Sequence, residues 1–216
     1  MYKRQESHCP LCHATQVGEF STDRRRSYLR CSRCALVFVP PGYYLDRASE
    51  RREYDLHRNG VNDPGYRRFL SRLADPLLER LSPGAQGLDF GCGPGPALAR
   101  MLEEAGCSVA LYDSFYRPDP DVLQAAYDFI CATEVVEHLH RPGDVLTRLW
   151  SLLCPGGWLG IMTKLVLDAE AFSRWHYKND PTHVCFFSEA TWRWWADEHG
   201  AELERYGADV ILLQKT

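Results

Sequence analysis

From Gly87 to Gln214, short apolar runs alternate with stretches of helical periodicity. Gly87-Leu88-Asp89-Phe90, Ser108–Tyr112, Tyr127–Ala132 and Trp158–Met162 are runs of the kind that buried strands show. Between them, Pro96–Ala105 sets Leu98, Met101, Leu102 and Ala105 on one helical face, with Gly106 as a stop. Val145–Leu153 reads as another helix, and Ser188 as the cap of one carrying Trp192, Trp194 and Trp195. Glu202–Tyr206 and Asp209–Gln214 are parted only by Gly207-Ala208, a spacing that predicts antiparallel pairing. The alternation predicts an α/β fold: a doubly wound, mostly parallel sheet with a C-terminal antiparallel hairpin.

Upstream, Asp63-Pro64 marks a helix start, and Phe69, Leu70, Leu73, Leu77 and Leu81 recur at helical spacing. Pro76 is expected to kink this helix or to begin a second one capped by Asp75. Gln16–Phe20 and Ser27–Arg30 read as a hairpin, with Leu36-Val37-Phe38-Val39 as a third strand, ended by Pro40-Pro41-Gly42. The chain divides into a small module (1–40), a helical linker or cap (41–84) and an α/β domain (85–216).

Hydrophobic residues make up 45% and charged residues 25% of the 216, which excludes a disordered or collagenous chain. No apolar run approaches the ~20 residues that span a bilayer. Met1–His8 lacks the apolar stretch of a signal peptide, so a cytoplasmic location without a membrane partner is expected. Residues 1–80 carry 15 Lys+Arg against 10 Asp+Glu, and residues 81–216 carry 10 against 19. The basic front, with Arg24-Arg25-Arg26, Arg30 and Arg33, suits an anionic partner such as RNA, or is a solvated face. Charge alone does not choose.

Nine cysteines need an explanation other than disulfides in that compartment. Cys9-Pro10-Leu11-Cys12 and Cys31-Ser32-Arg33-Cys34 form C-x2-C pairs eighteen residues apart, the spacing of a four-thiolate Zn²⁺ site. Forty residues bury too little to be stable alone, so a metal staple is physically motivated. His8 and His13 are rival ligands, but four cysteines already close the shell, leaving a structural rather than a catalytic ion. Cys92, Cys107, Cys131, Cys154 and Cys185 read as ordinary buried thiols.

Asp89-Phe90-Gly91-Cys92-Gly93-Pro94-Gly95 follows the first predicted strand, where glycines let a ligand approach the backbone. Its spacing is G-x-G-x-G, not the dinucleotide G-x-G-x-x-G, and Asp113 ends the next strand, placed for a ribose diol. Together with Tyr127-Asp128-Phe129-Ile130, Glu134-Val135-Val136-Glu137-His138 and Leu153-Cys154-Pro155-Gly156-Gly157, this stretch resembles the class I S-adenosylmethionine (SAM) methyltransferases over residues 80–216. With the cysteine module in front, the chain is similar to bacterial members that carry a four-cysteine zinc ribbon. The resemblance implies a Rossmann-like sheet, SAM as cofactor and Asp89 near the methionine amine. It further implies cofactor contacts at Gly91, Cys92, Gly93, Gly95, Asp113, Ser114 and Thr133. The connection from Asp113 to Tyr127 is short, so the usual third strand is absent or compressed, and Phe115 and Tyr116 are candidates to cover the adenine.

Glu134, Glu137 and His138 would share one face of a helical turn, and His183 would reach the same cleft. That set is similar to the divalent-ion ligands of small-RNA 3′-terminal 2′-O-methyltransferases and ubiquinone-pathway O-methyltransferases. Its mixed donors suit Mn²⁺, Fe²⁺, Co²⁺ or Zn²⁺. The bland alternative is that Glu137 and His138 only cap a helix or touch cofactor. His176, in the aromatic stretch Trp175-His176-Tyr177, is a further candidate base. Three functions follow: a SAM-dependent methyltransferase of small molecules, with metal-assisted O-methylation as one form; an RNA methyltransferase gripping phosphate through the ribbon; or a SAM-binding module without catalysis. Neither the acceptor nor the oligomeric state is legible.

Overall fold

Side-chain alternation along the strands decides what covers each face of the main sheet. In this computed structural model, residues 8–56 and 60–216 are described; Met1–Ser7, read for a leader, lies outside the described residues. In chain order they form β1 (Val17–Thr22), β2 (Ser27–Cys31), β3 (Val37–Phe38), α1 (Arg47–Tyr54), α2 (Pro64–Leu78), β4 (Gln86–Phe90), α3 (Ala97–Glu104) and β5 (Ser108–Tyr112). There follow β6 (Tyr127–Thr133), α4 (Pro142–Leu152), β7 (Leu153–Met162), α5 (Ala169–Ser173), β8 (Cys185–Phe186), α6 (Glu189–His199), β9 (Ala201–Tyr206) and β10 (Val210–Lys215). The main sheet runs β5-β4-β6-β7-β10-β9. Its first four strands are parallel, and β10 is antiparallel to β9, as the sequence predicts, and also to β7.

Period-two alternation sends Phe129, Cys131, Met162 and Leu212 to one face, where they meet Leu70, Leu73 and Leu77 of α2 and Leu98 and Leu102 of α3. Ile130, Leu159, Ile161, Ile211 and Leu213 point the other way, toward Leu146 and Leu149 of α4 and Trp192 and Trp195 of α6. Both faces are covered, which is why these strands read as continuous apolar runs. The three α2 leucines, at roughly 1.5–3 kcal/mol each, anchor that helix to the sheet. Pro76 sits inside α2 rather than dividing it. It falls in the last turn, where its missing N–H removes a single bond to the Arg72 carbonyl. Between Asp113 and Tyr127 the chain makes a bridge, Asp113 to Arg117, and a short 3-10 turn, leaving β5 at the sheet edge.

The amino-terminal hairpin is not freestanding. Its sheet runs β1-β2-β3-β8, and the last strand comes from residues 185–186. Tyr28 packs edge-on against Phe172 and Phe186, joining the two parts in one core. The Cys9–Cys12 turn also docks on α4: Gly143 N–H donates to the Pro10 carbonyl at 3.2 Å, and a Cβ at Gly143 would lie 2.2 Å from the Leu11 carbonyl oxygen. Backbone cannot retreat as a flexible side chain would. Gly143→Ala is therefore expected to cost about 2–4 kcal/mol and lower Tm by roughly 4–16 °C, with new proteolysis within residues 8–40. Unchanged melting and cleavage would show that this contact is slack.

Candidate active site

At the carboxyl edge of β4, β5 and β6, where doubly wound sheets hold ligands, lies a cavity of about 770 Å³. Its floor is the glycine turn. Gly91 takes φ +78°, and a Cβ there would come within 2.3 Å of Val135 Cγ2. Gly93 takes φ +62°. Gly91 and Cys92 N–H both donate to the Tyr112 carbonyl (2.7 and 3.2 Å), and Gly93 N–H donates to Asp113 Oδ2 at 3.1 Å. With these three donors engaged inside the protein, the turn is not the open N–H cradle that a dinucleotide pyrophosphate uses. Asp113 Oδ1 also accepts from the backbone of Phe115 and Tyr116 (2.8 and 3.0 Å). A carboxylate has about four lone-pair sites, so one remains, on Oδ2, for a ribose hydroxyl.

Gly91, Cys92, Gly93, Gly95, Asp113, Ser114, Thr133, Glu134, His138 and His183 all line the cavity; Asp89, Glu137 and His176 do not. Asp89 is buried beneath the turn, where desolvation pushes its carboxyl up to about 7 against the pull of the Ala99 N–H. His176 lies outside, its Nε2 3.3 Å from Lys164 Nζ on an exposed loop.

The Glu134, Glu137 and His138 turn differs from expectation. Glu134 takes φ +52° at the end of β6 and only Val136–His138 are helical, as a 3-10 turn, so the three side chains do not share one helical face. The chain instead brings Glu137, His138 and His183 together, one donor atom from each within 4.8 Å of the others. Glu134 joins them through Tyr177, whose hydroxyl donates at 2.5 Å to Glu137 Oε1 and lies 3.3 Å from Glu134 Oε2. Thr163 donates to Glu137 Oε2 at 3.0 Å. Burial pushes Glu137 up to about 8 and Glu134 up to about 7. His183 Nδ1 lies 2.7 Å from the Tyr177 carbonyl oxygen, which can only accept, so Nδ1 carries a hydrogen, while Nε2 lies 3.8 Å from Asp180 Oδ2.

Over the cavity lies α1, which the hydrophobic pattern could not reveal because it buries none of its residues. Its signal in the sequence is the cap: Asp46 Oδ1 accepts from Ser49 N–H at 2.9 Å. Arg47 donates to the Ser114 carbonyl (2.6 Å) and stacks on Phe115 (4.3 Å), while Tyr54 meets Phe115 and His138 edge-on. Tyr66 and Phe69 of α2 complete the wall.

The four sulfurs of Cys9, Cys12, Cys31 and Cys34 lie within 4.8 Å of one another, with Cys9–Cys34 at 3.4 Å and Cys12–Cys31 at 3.5 Å. A tetrahedral zinc with ~2.3 Å bonds sets sulfurs about 3.8 Å apart, so the set fits. The two turns share one backbone pattern. His13 and Ala35 N–H bond back to the Cys9 and Cys31 carbonyls, and both residues take φ +59°. That conformation carries His13 away to Asp144, 3.6 Å off, rather than into the cluster.

A family model described as a methyltransferase domain matches residues 65–206. The chain is 29% identical over 153 residues to the biotin biosynthesis bifunctional protein BioCD of Bordetella avium, a match covering 61% of this chain and 31% of that protein. It spans less than a third of that relative. Among solved structures it is similar to 1,6-didemethyltoxoflavin-N1-methyltransferase of Burkholderia thailandensis, with bound substrate and S-adenosylhomocysteine, at TM-score 0.57 and 19% identity, covering 92% of this chain and 99% of that one. Magnesium protoporphyrin IX methyltransferase of Synechocystis PCC 6803, with bound S-adenosylhomocysteine, matches at TM-score 0.55 and 16% identity over 81% of this chain and 97% of that one.

Proposed function

The chain belongs to the SAM-dependent class I methyltransferases, its methyltransferase domain matched over residues 65–206, and from that premise we propose that its acceptor is a small molecule. The observation that carries this is the walled cavity of about 770 Å³, in the range of small-molecule sites. The two structural relatives named above act, by their names, on 1,6-didemethyltoxoflavin and on magnesium protoporphyrin IX. An RNA acceptor would need arginines open to phosphate. Here Arg26, at the centre of the basic run, is buried with its donors on backbone carbonyls, while Arg24, Arg25, Arg30 and Arg33 stay exposed, so the choice against RNA rests on the cavity and not on the charge.

SAM, when bound, supplies an electrophilic methyl group. Gly91, Gly93 and Asp113 would hold it, the glycines by leaving room and Asp113 by accepting from a ribose hydroxyl. His138, His183 and Glu134 face the same cavity and would orient the acceptor, and His183 would take its proton where no ion is bound. The wall of α1 and the loop bearing Asp180 and His183 would exclude water, so that alignment of the reacting atoms supplies several kcal/mol of the barrier. In the ribbon we assign zinc to the four cysteines, a closed shell that folds rather than catalyses.

Metal-assisted O-methylation is the finer form of the proposal, supported by the convergence of Glu137, His138 and His183. Each Glu137 oxygen keeps a second lone pair beyond its hydrogen bond, so the donor set fits a divalent ion. Such an ion, when bound, lowers the pKa of a coordinated hydroxyl. Transfer of labelled methyl to a small-molecule extract should stop in a chelator too weak to strip the ribbon and return with Mn²⁺. S-adenosylhomocysteine affinity should change by less than about twofold. Transfer indifferent to the chelator would remove the second ion and leave proton acceptance to His183.

A further inference from the structure

The turn between β1 and β2 reaches across to the loop that brings Asp180 and His183 to the cavity. Arg26 is buried there, and its guanidinium addresses four backbone carbonyls of that single loop. Nη1 donates to His183 O at 2.9 Å and Pro181 O at 3.3 Å; Nη2 donates to Asp180 O at 2.9 Å and to Lys178 O. Beside it, Arg25 donates to Asn179 O at 3.2 Å, and the Lys178 ammonium pairs with Asp23. Asp23 also accepts from the Arg25 and Arg26 N–H groups at 2.8 and 3.0 Å, fixing the turn that presents both arginines.

A buried cation is tolerated only when its donors are satisfied, and a planar five-donor fork suits converging carbonyls as an ammonium does not. The carbonyls of residues 178–183 are thereby drawn toward the ribbon. Asp180 and His183 meanwhile line the cavity. His183 is held twice, its carbonyl by Arg26 and its Nδ1 by the Tyr177 carbonyl, and the second bond fixes the tautomer. Tyr177 is in turn fixed through its hydroxyl on Glu137.

We propose that Arg26 is a positioning residue of the methyltransferase: it holds the 178–183 loop so that Asp180 and His183 keep their places on the cavity wall. The ribbon then backs the loop that walls the catalytic cavity rather than being an appended binding module. This rests on the acceptor occupying the His138–His183 side of the cavity.

The test uses the full zinc-loaded chain labelled with ¹⁵N-histidine, with His183 assigned through His183→Gln and spectra taken above its titration. Wild type should show a hydrogen held on His183 Nδ1. Arg26→Met should lose that signature for a mixture of tautomers while keeping one zinc and S-adenosylhomocysteine affinity within about threefold. Arg26→Lys should fail to restore it, since one ammonium cannot address four carbonyls, whereas a role in charge balance alone would be restored. Label transfer to the extract should fall about tenfold to a hundredfold in the Lys variant, in kcat and not in KM for SAM. A folded Lys variant that keeps the wild-type tautomer overturns the proposal, as does one with altered tautomer but undiminished transfer. If Arg26→Met does not fold, Arg26→Lys carries the decision alone. The tautomer readout needs no acceptor, so failure of the small-molecule reading would appear separately, as absence of transfer in wild type.

Discussion

Gly91→Ala will weaken cofactor binding about a hundredfold while the protein remains folded. Two independent obstacles meet at this position. The φ of +78° belongs to the left-handed region, where a Cβ costs roughly 1–2 kcal/mol. The added carbon would also stand 2.3 Å from Val135 Cγ2, so the turn must shift away from the β6 end. Gly91 N–H is bonded to the Tyr112 carbonyl at 2.7 Å, and the shift would drag on the strand end that carries Asp113. Displacing floor and hydroxyl acceptor together should weaken S-adenosylhomocysteine about a hundredfold, or about 2.7 kcal/mol, by titration calorimetry. Gly91→Ala with Val135→Ala removes the clash but not the φ strain and should recover part of the loss. Gly93→Ala, at φ +62° with no atom within 4 Å of the new carbon, should cost less apo-protein stability than Gly91→Ala. Wild-type affinity in Gly91→Ala would separate this cavity from the cofactor.

Removing one thiolate should reach the catalytic cavity as well as the ribbon. A module joined by a linker would let Cys31→Ser unfold the first forty residues alone. Here β3 pairs with β8, Val39 N–H donates to the Val184 carbonyl at 3.0 Å, and Val184 N–H donates to the Glu137 carbonyl at 2.8 Å. Three bonded steps therefore lead from the ribbon to the Glu137 turn. A loss of about 3 kcal/mol, small beside the ~10–16 kcal/mol that structural zinc supplies to small domains, would lower Tm by roughly 6–12 °C. Methyl transfer should drop at least tenfold at temperatures where the main sheet is still folded. Circular dichroism, zinc analysis and label transfer on one preparation check this together; full transfer with zinc lost would make the ribbon dispensable.

The main sheet was legible because both of its faces are buried. Phe129 and Ile130 serve opposite cores, yet both read as apolar, and the glycine turns and the Ser188 cap mark the ends. The cysteine pairs were equally plain, since a knuckle is a local device. What escaped is carried by polar side chains over long separations. The helix α1 buries nothing and so leaves no periodic trace. Arg26 reads in the sequence as part of a basic run for an anionic partner or for solvent, and only the fold shows that its donors end on carbonyls more than 150 residues away. Tyr177 stood beside the candidate His176, and the 3-10 turn at residues 176–179 buries the phenol while leaving the imidazole outside the cavity. Glu134 was misplaced because helical spacing was assumed where the backbone turns left-handed.

The most direct test of a small-molecule SAM-dependent methyltransferase is to incubate the zinc-loaded chain with methyl-labelled SAM and a whole-cell extract, then separate products by size before and after ribonuclease. The account predicts label in the low-mass fraction, indifferent to ribonuclease and reduced with Gly91→Ala. Label held in RNA and released by ribonuclease, or no label despite tight S-adenosylhomocysteine binding, would contradict it.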